Sequence, residues 1–552
     1  MLGRKATLDE LEDRLPMMGT GWEGKTDEGF EIEVFPNRPD LLSIEGLTRA
    51  YASFIGEKIG LRTYTVIKGN YVAVVDPKVQ YVRPYFVCAV VKGVDFNNSL
   101  IRSIMQLQEK LHMTHGRKRR KVAIGLHNLN VIKFPINYTT EPPCFKFRPL
   151  GERFEKDLHW ILTEIPKGME YAWILEGATE YPMIVDAKGM VLSMPPIING
   201  EYTRIDEVTT ELFVDITGTD LKAITEVLNI ICTTFADRGA KIFSVEVKYQ
   251  DKTIVTPNLN PKPWKLSNNY ACKTLGLKLR PEETCRLLEK MGHGIGGDAK
   301  SILTSIPEEK DTIINVKVPC YRTDIMHPMD LVEDVAIAYG YDVIIPEIPA
   351  ITSKAGEDPL EVFSRGLRNF LIGFGYMEVV TFMMSNHEKL FTKMMLPEEP
   401  IAETENPKME GYTCLRNTLL PSIIEILSFN KHHPYPQNLY EVDDVVLLDP
   451  GTETGAKSAR RLALVQCYAK ANFNEIKATL ISLLENLEIK TEIEPAGWDC
   501  FIEGRRFTAV IKDQLLCWAG EIRPEVLEAW GLEMPVAALE LDVELLQRLV
   551  KN

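Results

Sequence analysis

No run of about 18 consecutive apolar residues, the length a membrane helix needs, occurs in these 552 residues. The opening MLGRKATLDELEDRL carries acidic residues where a secretory leader has its apolar centre, so a cytoplasmic protein with no membrane span is the expectation. Cysteine is sparse and dispersed: ten residues, none in a CxxC pair and most beside apolar neighbours, as in Val87-Cys88-Ala89 and Leu516-Cys517. That spacing excludes a zinc ribbon or a disulfide frame and leaves reduced core thiols. Neither His432 and His433 nor His112 and His115 has further ligands at zinc spacing. A GxxxxGK[ST] phosphate loop is missing. GHGIGG (Gly292 to Gly297) matches GxGxxG, but it follows a helical pattern instead of joining a strand to a helix, so it reads as a turn. Positive charge is also in deficit, 63 basic against 78 acidic residues for a net −15, which excludes polyanion binding over the whole surface.

What is present is enough chain for several domains, three to five at the usual size, with an ordinary 45% apolar and 26% charged composition. The most informative stretch is PCYRTDIMHPMDLVEDVAIAYGY, residues 319–341. Pro328 suits a first helical position, so Asp330, Glu333 and Asp334 fall at i, i+3 and i+4 on one face of the opening turns. With Asp324 just upstream, four carboxylates converge, the donor chemistry of a hard divalent cation such as Mg²⁺. The competing reading is a first turn whose acidic residues complement the helix dipole and face water.

That string resembles the signature of the small B5 domain of the phenylalanyl-tRNA synthetase beta subunit, and the resemblance implies Mg²⁺ binding at Asp324, Asp330, Glu333 and Asp334. Other segments resemble the same subunit in order. FPNRPDLLSIEGLTRAYASF (Phe35 to Phe54) is similar to its first module. RPYFVCAVVKGV (Arg83 to Val94), HGRKRRK (His115 to Lys121) and VLSMPPIINGE (Val191 to Glu201) resemble its B3/B4 editing region in the archaeal and eukaryotic form. LRNTLLPSII (Leu415 to Ile424) and NLYEVDDVV (Asn438 to Val446) resemble its catalytic-like C-terminal domain. The fold class implied is α+β multidomain: a B1-like module at 1–75, a B3/B4-type editing domain at 76–255, a winged-helix-like B5 domain at 262–350, and a class II synthetase-like antiparallel sheet domain without catalytic motifs at 355–552. Compared with the family, the start reads as clipped, and no added oligonucleotide-binding module is seen.

Local patterns agree with that division. EIEVF (Glu31 to Phe35) reads as a strand before the Asn37-Arg38-Pro39-Asp40 turn, with a helix from Ser43. Proline spacing in TPNLNPKPW (Thr256 to Trp264) reads as a linker. Between 265 and 350, helices around Tyr270 to Leu275 and after Pro281, and strands around Ile302 and Ile314 to Val318, precede the acidic helix. Phe363 to Phe382 reads as helix, glycine stop and strand, the order around the first class II motif.

The second and third class II motifs are not legible. Glu441 stands where the second motif has its acidic residue, but no arginine lies just before it, and Gly520 to Arg523 lacks the Gly-x-Gly step. The resemblance implies that an alpha subunit, in an (αβ)₂ tetramer, holds ATP and phenylalanine, while this chain contacts tRNA(Phe) and proofreads mischarged tyrosyl-tRNA. A phenylalanine pocket rejects an added hydroxyl only about 10²-fold, so a second pocket that hydrogen-bonds the phenol is the natural remedy. Candidates are Phe213, Asp215 and Thr217, which alternation puts on one face of a strand, with Asn199 and Glu201 nearby. Gly200 stands where many relatives have serine. No Ser-His or Cys-His arrangement stands out there, so positioned water is the expected nucleophile. The run Arg117, Lys118, Arg119, Arg120, Lys121 is the candidate tRNA contact, against the plainer reading of a solvated loop. Two rivals remain: a scaffold subunit with an inactive editing pocket, and a self-sufficient synthetase, which the missing motifs oppose.

Overall fold

The computed structural model describes residues 2–27, 29–296, 311–352 and 354–551. The chain forms two units, residues 1–348 and 349–552. No described helix is long and apolar enough to cross a membrane.

The first unit opens with an antiparallel hairpin, Thr20–Thr26 against Gly29–Val34. The Asn37-to-Asp40 turn is closed by Arg38, whose guanidinium donates to both oxygens of Asp40 at 2.8 and 2.9 Å. Ser43 then caps helix Ile44–Phe54, its hydroxyl accepting from Gly46 N at 3.0 Å, the start expected from sequence.

The body of this unit is a ten-stranded mixed sheet. In chain order its strands are β1 (Val66–Val75), β2 (Tyr85–Lys92), β3 (Val122–Asn128), β4 (Ile136–Glu141), β5 (Tyr181–Val185), β6 (Val191–Met194), β7 (Ile198–Asn199), β8 (Glu211–Gly218), β9 (Lys241–Lys248) and β10 (Thr253–Thr256). They lie in the order β7-β6-β5-β4-β1-β9-β2-β8-β3, with β10 on β9. Pairs β1–β9 and β1–β4 are parallel and the rest antiparallel. Helices α1 (Asn98–Met113) and α2 (Leu221–Asp237) cover one face, where Leu212, Val214 and Ile216 of β8 join their core. Phe213 faces the other way, into a separate cluster with Phe86, Ile136 and Tyr138. The period-2 pattern thus buries both sides of β8, as a central strand requires.

Residues 262–341 form a smaller layered piece. Strands Lys262–Ser267, Ile313–Val318 and Gly294–Gly296 pair antiparallel with Ile313–Val318 in the middle, beside helices Asn268–Leu275, Pro281–Lys290 and Pro328–Tyr339. The proline-spaced segment 256–264 is not wholly a linker, since Lys262 already belongs to a strand. The expected strand around Ile302 lies outside the described residues, as does Gly297 of GHGIGG.

In the second unit a seven-stranded sheet runs Met377–Glu378, Gln437–Leu448, Ala456–Cys467, Val536–Asp542, Gln514–Ile522, Phe501–Ile511, Glu492–Glu494. Only the first pair is parallel. Helices Pro359–Gly373, Phe473–Asn486 and Val543–Lys551 pack on one side and Leu420–Phe429 on the other.

Candidate functional site

β8 is paired on both flanks, so its residues are fixed in register: Asp215 lies opposite Cys88 of β2 and Gly125 of β3. A cavity of about 220 Å³ opens there, lined by Asp215, Gly125, Ser193, Asn199, Arg119 and His112 among others. The Asp215 carboxylate is 1% exposed, and its Oδ2 lies 2.6 Å from His127 Nε2. The other ring nitrogen, Nδ1, is 2.7 Å from Thr203 Oγ1. With Asp215 ionised, Nε2–H donates to the carboxylate and Nδ1 accepts the Thr203 O–H, so every hydrogen is placed. Gly125 makes the arrangement possible, because a Cβ there would sit 2.2 Å from Asp215 Oδ2 and 2.7 Å from His127 Nε2.

Three polar groups around this cavity retain hydrogen-bonding capacity. Ser193 Oγ is buried with no partner among the described residues. Asn199 Nδ2 makes only one long contact, 3.5 Å to Leu126 O. Asp215 keeps its second oxygen. Buried polar groups are usually satisfied, so a cluster of unmet ones facing a cavity points to a polar guest. His112, also on the wall, is held neutral by burial, its pKa pushed down to about 4.

Of the five sequence candidates, Asn199 and Asp215 line the cavity and the other three do not. Phe213 lies on the same face of β8 but packs into the core there, edge-on to Phe134 at 5.7 Å. Thr217 Oγ1 accepts from Arg83 Nε at 2.8 Å. Glu201 accepts from Gly151 N at 2.8 Å and pairs with Arg204 at 3.5 Å. The sequence reading missed Ser193, Gly125 and the Thr203–His127–Asp215 chain. These residues are 76 and 88 positions apart, and only the β3–β8 register unites them. Their complete burial still argues against Thr203 as a nucleophile.

The basic run does not form one cationic surface. Arg117, Lys118 and Arg120 are exposed, Lys121 pairs with Asp220 at 3.0 Å, and Arg119 is turned inward at 5% exposure. Beneath them lies Arg83, fully enclosed, donating to Thr217 Oγ1 and O and to the carbonyls of Arg119 and Arg120 at 2.8–3.1 Å. No carboxylate pairs with it among the described residues, and burial pulls its pKa down to about 10.

The four carboxylates of the acidic string divide into two pairs. Arg322 clamps Asp324 through Nε and Nη2 at 2.8 and 2.7 Å and reaches Asp334 Oδ2 at 2.8 Å, and His293 Nε2 lies 2.6 Å from the same Asp334 oxygen. Burial opposes ionisation of Asp324, but the guanidinium outweighs it and holds the carboxyl down at about 2. Asp330 Oδ2 accepts from Met326 N and His327 N at 2.7 Å, fastening the start of helix Pro328–Tyr339. Glu333 has no hydrogen-bond partner among the described residues, and its pKa is raised by burial and then by the neighbouring carboxylates Asp334, Asp324 and Asp330. No set of three His, Cys, Asp or Glu side chains among the described residues stands ready to ligate a metal. Asp324 and Asp334 are thus engaged by Arg322 and His293, while Asp330 Oδ1 and Glu333 carry no hydrogen bond among the described residues.

Residues 264–341 match the tRNA synthetase B5 domain, and residues 344–543 the phenylalanyl tRNA synthetase beta chain CLM domain. The chain is 41% identical over 543 residues to the phenylalanine–tRNA ligase beta subunit of Archaeoglobus fulgidus, covering 98% of this chain and 95% of that one. With the beta subunit of Pyrococcus horikoshii it is 38% identical over 557 residues, covering 99% and 98%. The chain belongs to the phenylalanine–tRNA ligase beta-subunit family. Its fold agrees: an N-terminal fragment of the phenylalanyl-tRNA synthetase beta subunit from Pyrococcus horikoshii superposes with a TM-score of 0.58 at 38% identity, covering 62% of this chain and 96% of that fragment.

In the part of this family member that matches the CLM domain, Glu441 does have an arginine partner, drawn from a distant segment. Arg416, fully buried, meets Glu441 Oε1 at 3.0 Å, Asp443 Oδ2 at 2.8 Å, Thr381 Oγ1 at 2.6 Å and Asp444 O at 3.2 Å. Four of its five N–H donors are engaged inside the unit, where it braces the sheet.

Proposed function

We propose that this chain is the beta subunit of a cytoplasmic class II phenylalanine–tRNA ligase, an (αβ)₂ tetramer whose alpha subunit uses ATP to activate phenylalanine. The cavity at β8 hydrolyses mischarged tyrosyl-tRNA(Phe). The observation that carries this is the unpartnered Ser193 hydroxyl on one cavity with Asp215, whose second oxygen is free of protein donors, and Asn199, whose one contact is long. A tyrosine phenol donates to Asp215 and meets Ser193. A phenylalanine ring leaves Ser193 and the second Asp215 oxygen without a partner in a desolvated site, at a cost of about 1–3 kcal/mol. Asn199 is placed to orient water at the ester carbonyl, from which the terminal tRNA hydroxyl departs as leaving group. The test is hydrolysis of pre-formed tyrosyl-tRNA beside phenylalanyl-tRNA. Equal slow loss of both esters would make the chain a scaffold with an inactive cavity.

The exposed cations Arg117, Lys118 and Arg120 are the proposed tRNA phosphate contacts. Replacing all three with alanine is expected to flatten the salt dependence of tRNA binding by a slope of about 0.7–0.9 for each phosphate no longer neutralised. An unchanged slope, measured by titration between low and physiological salt, would return the run to a solvated loop.

Asp330 and Glu333 are the proposed protein ligands of one Mg²⁺, with its remaining positions filled by water or a second subunit. The ion relieves the repulsion that raises Glu333. Mn²⁺ titration followed by paramagnetic relaxation should show one site that Glu333→Gln weakens and Asp324→Asn, removing a carboxylate already held by Arg322, affects less. Equal weakening in both variants would restore the four-carboxylate site.

A further inference from the structure

A second cavity, of about 340 Å³, lies in the C-terminal unit and takes no part in the chemistry proposed above. Its floor is the seven-stranded sheet, whose register brings three side chains to one face. Glu540 of strand Val536–Asp542 stands opposite Trp518 on one flank and opposite Ala463 on the other, and Arg461 lies two residues before Ala463. Residues paired across a sheet, and residues two apart along a strand, point the same way. Leu390, Leu396 and Leu447 give the lining an aliphatic side and Asn417 an amide. The aromatic side is flat and firm, because Trp518 is stacked on Trp498 with ring centres 4.4 Å apart. A concave, mostly apolar space with a few convergent polar groups is the form a small-molecule site takes.

The polar groups here are only partly used by the protein. Glu540 is 1% exposed. Its Oε2 accepts from the Thr418 hydroxyl at 2.6 Å and from the amides of Leu419 and Leu420 at 2.9 and 3.1 Å, at the start of helix Leu420–Phe429. Oε1 takes no hydrogen bond among the described residues. Asn417 Oδ1 is buried without a partner among them. The Arg461 side chain, 12% exposed, has Nη1 at 3.2 Å from Asp542 Oδ2 and its guanidinium carbon 5.8 Å from the Trp518 ring centre, and its other nitrogens donate to nothing among the described residues. One anionic and one cationic group with spare capacity therefore meet on a single cavity, which also carries an aromatic wall. Buried polar groups are usually satisfied, and charged ones left unmet are the most costly.

We propose that this cavity binds a free α-amino acid with an aromatic or large aliphatic side chain. The ammonium group donates to Glu540 Oε1, the carboxylate accepts from the Arg461 donors that Asp542 does not take, and the side chain lies between Trp518 and the three leucines. A ligand with only one of the two charges leaves either Glu540 or Arg461 short of a partner in a desolvated site, and an uncharged one leaves both. The site takes the amino acid itself and not its ester, and it stands independently of the proofreading reading.

The experiment is equilibrium dialysis of labelled phenylalanine against the assembled alpha–beta enzyme, comparing wild type, Glu540→Gln and Arg461→Gln. Wild type should hold one phenylalanine per alpha–beta pair that either variant binds roughly 10- to 150-fold more weakly, the effect of losing one charge-assisted hydrogen bond to a buried group. Glu540→Gln keeps an oxygen for Thr418 and the two helix amides, so it should remove the charge without parting helix from sheet. Phenethylamine, which lacks the carboxylate, and 3-phenylpropionate, which lacks the ammonium, should each displace this phenylalanine at least about tenfold less well than unlabelled phenylalanine does. Equal occupancy in wild type and both variants overturns the proposal. Displacement by 3-phenylpropionate as effective as by phenylalanine overturns it as well, since Glu540 would then recognise nothing. If Glu540→Gln does not fold, judged by circular dichroism, Arg461→Gln and the two analogues decide by the same criteria.

Discussion

Asp215→Ala should let tyrosyl-tRNA accumulate while phenylalanine activation by the assembled enzyme continues, because the division of labour proposed above gives the two events to different subunits. Loss of the bond to the phenol alone should cost about 1–3 kcal/mol, or roughly 5- to 150-fold in tyrosine selectivity. Removing the carboxylate also leaves His127 with an unpaired ring nitrogen in a sealed site, so the change reaches Thr203 on the far side of the ring. Gly125→Ala should approach the same result without touching the carboxylate, since the added methyl would occupy the place of Asp215 Oδ2. The readout is deacylation of pre-formed tyrosyl-tRNA. Wild-type rates in both variants would place the pocket elsewhere.

The second large effect concerns the C-terminal unit. Purified alone, the chain should give no phenylalanine-dependent ATP–pyrophosphate exchange, and addition of the alpha subunit should restore it in full. In sequence the reason is that no arginine lies just before Glu441. The structure supports a firmer one: the arginine that does reach Glu441 is sealed from solvent and already holds two carboxylates, a hydroxyl and a carbonyl. Exchange activity in a lone preparation free of alpha subunit would overturn this division of labour.

The parts of the molecule that are legible in sequence are those set by local pattern. Ser43 capping its helix, Pro328 opening the acidic helix and the alternation along β8 follow from propensity and periodicity, and the observed elements have those starts and faces. Within the site the same logic selects Asp215 and Asn199, which line the cavity, together with Phe213 and Thr217, which do not. Alternation gives a side of the sheet, and it does not say which stretch of that side is covered by core and which by cavity. His127 and Gly125 are invisible for another reason: their meaning depends on which strand lies beside β8, a long-range pairing that no window of sequence contains. Charge counting fails in the opposite direction. Arg119 reads as one of five equivalent surface cations and the four carboxylates as one site, yet backbone conformation buries the first and Arg322 divides the second.

Arg83 has a consequence for how the cavity comes apart. A buried guanidinium without a counter-ion is tolerable only while all its acceptors are present, since any one withdrawn leaves a desolvated charge short of a partner. Those acceptors come from the end of β8 and from the loop before β3. The two segments should therefore open together or not at all. In native-state hydrogen exchange the amides of Arg119, Lys121 and Thr219 should share one opening free energy, a single cooperative unit separate from the fraying of neighbouring turns.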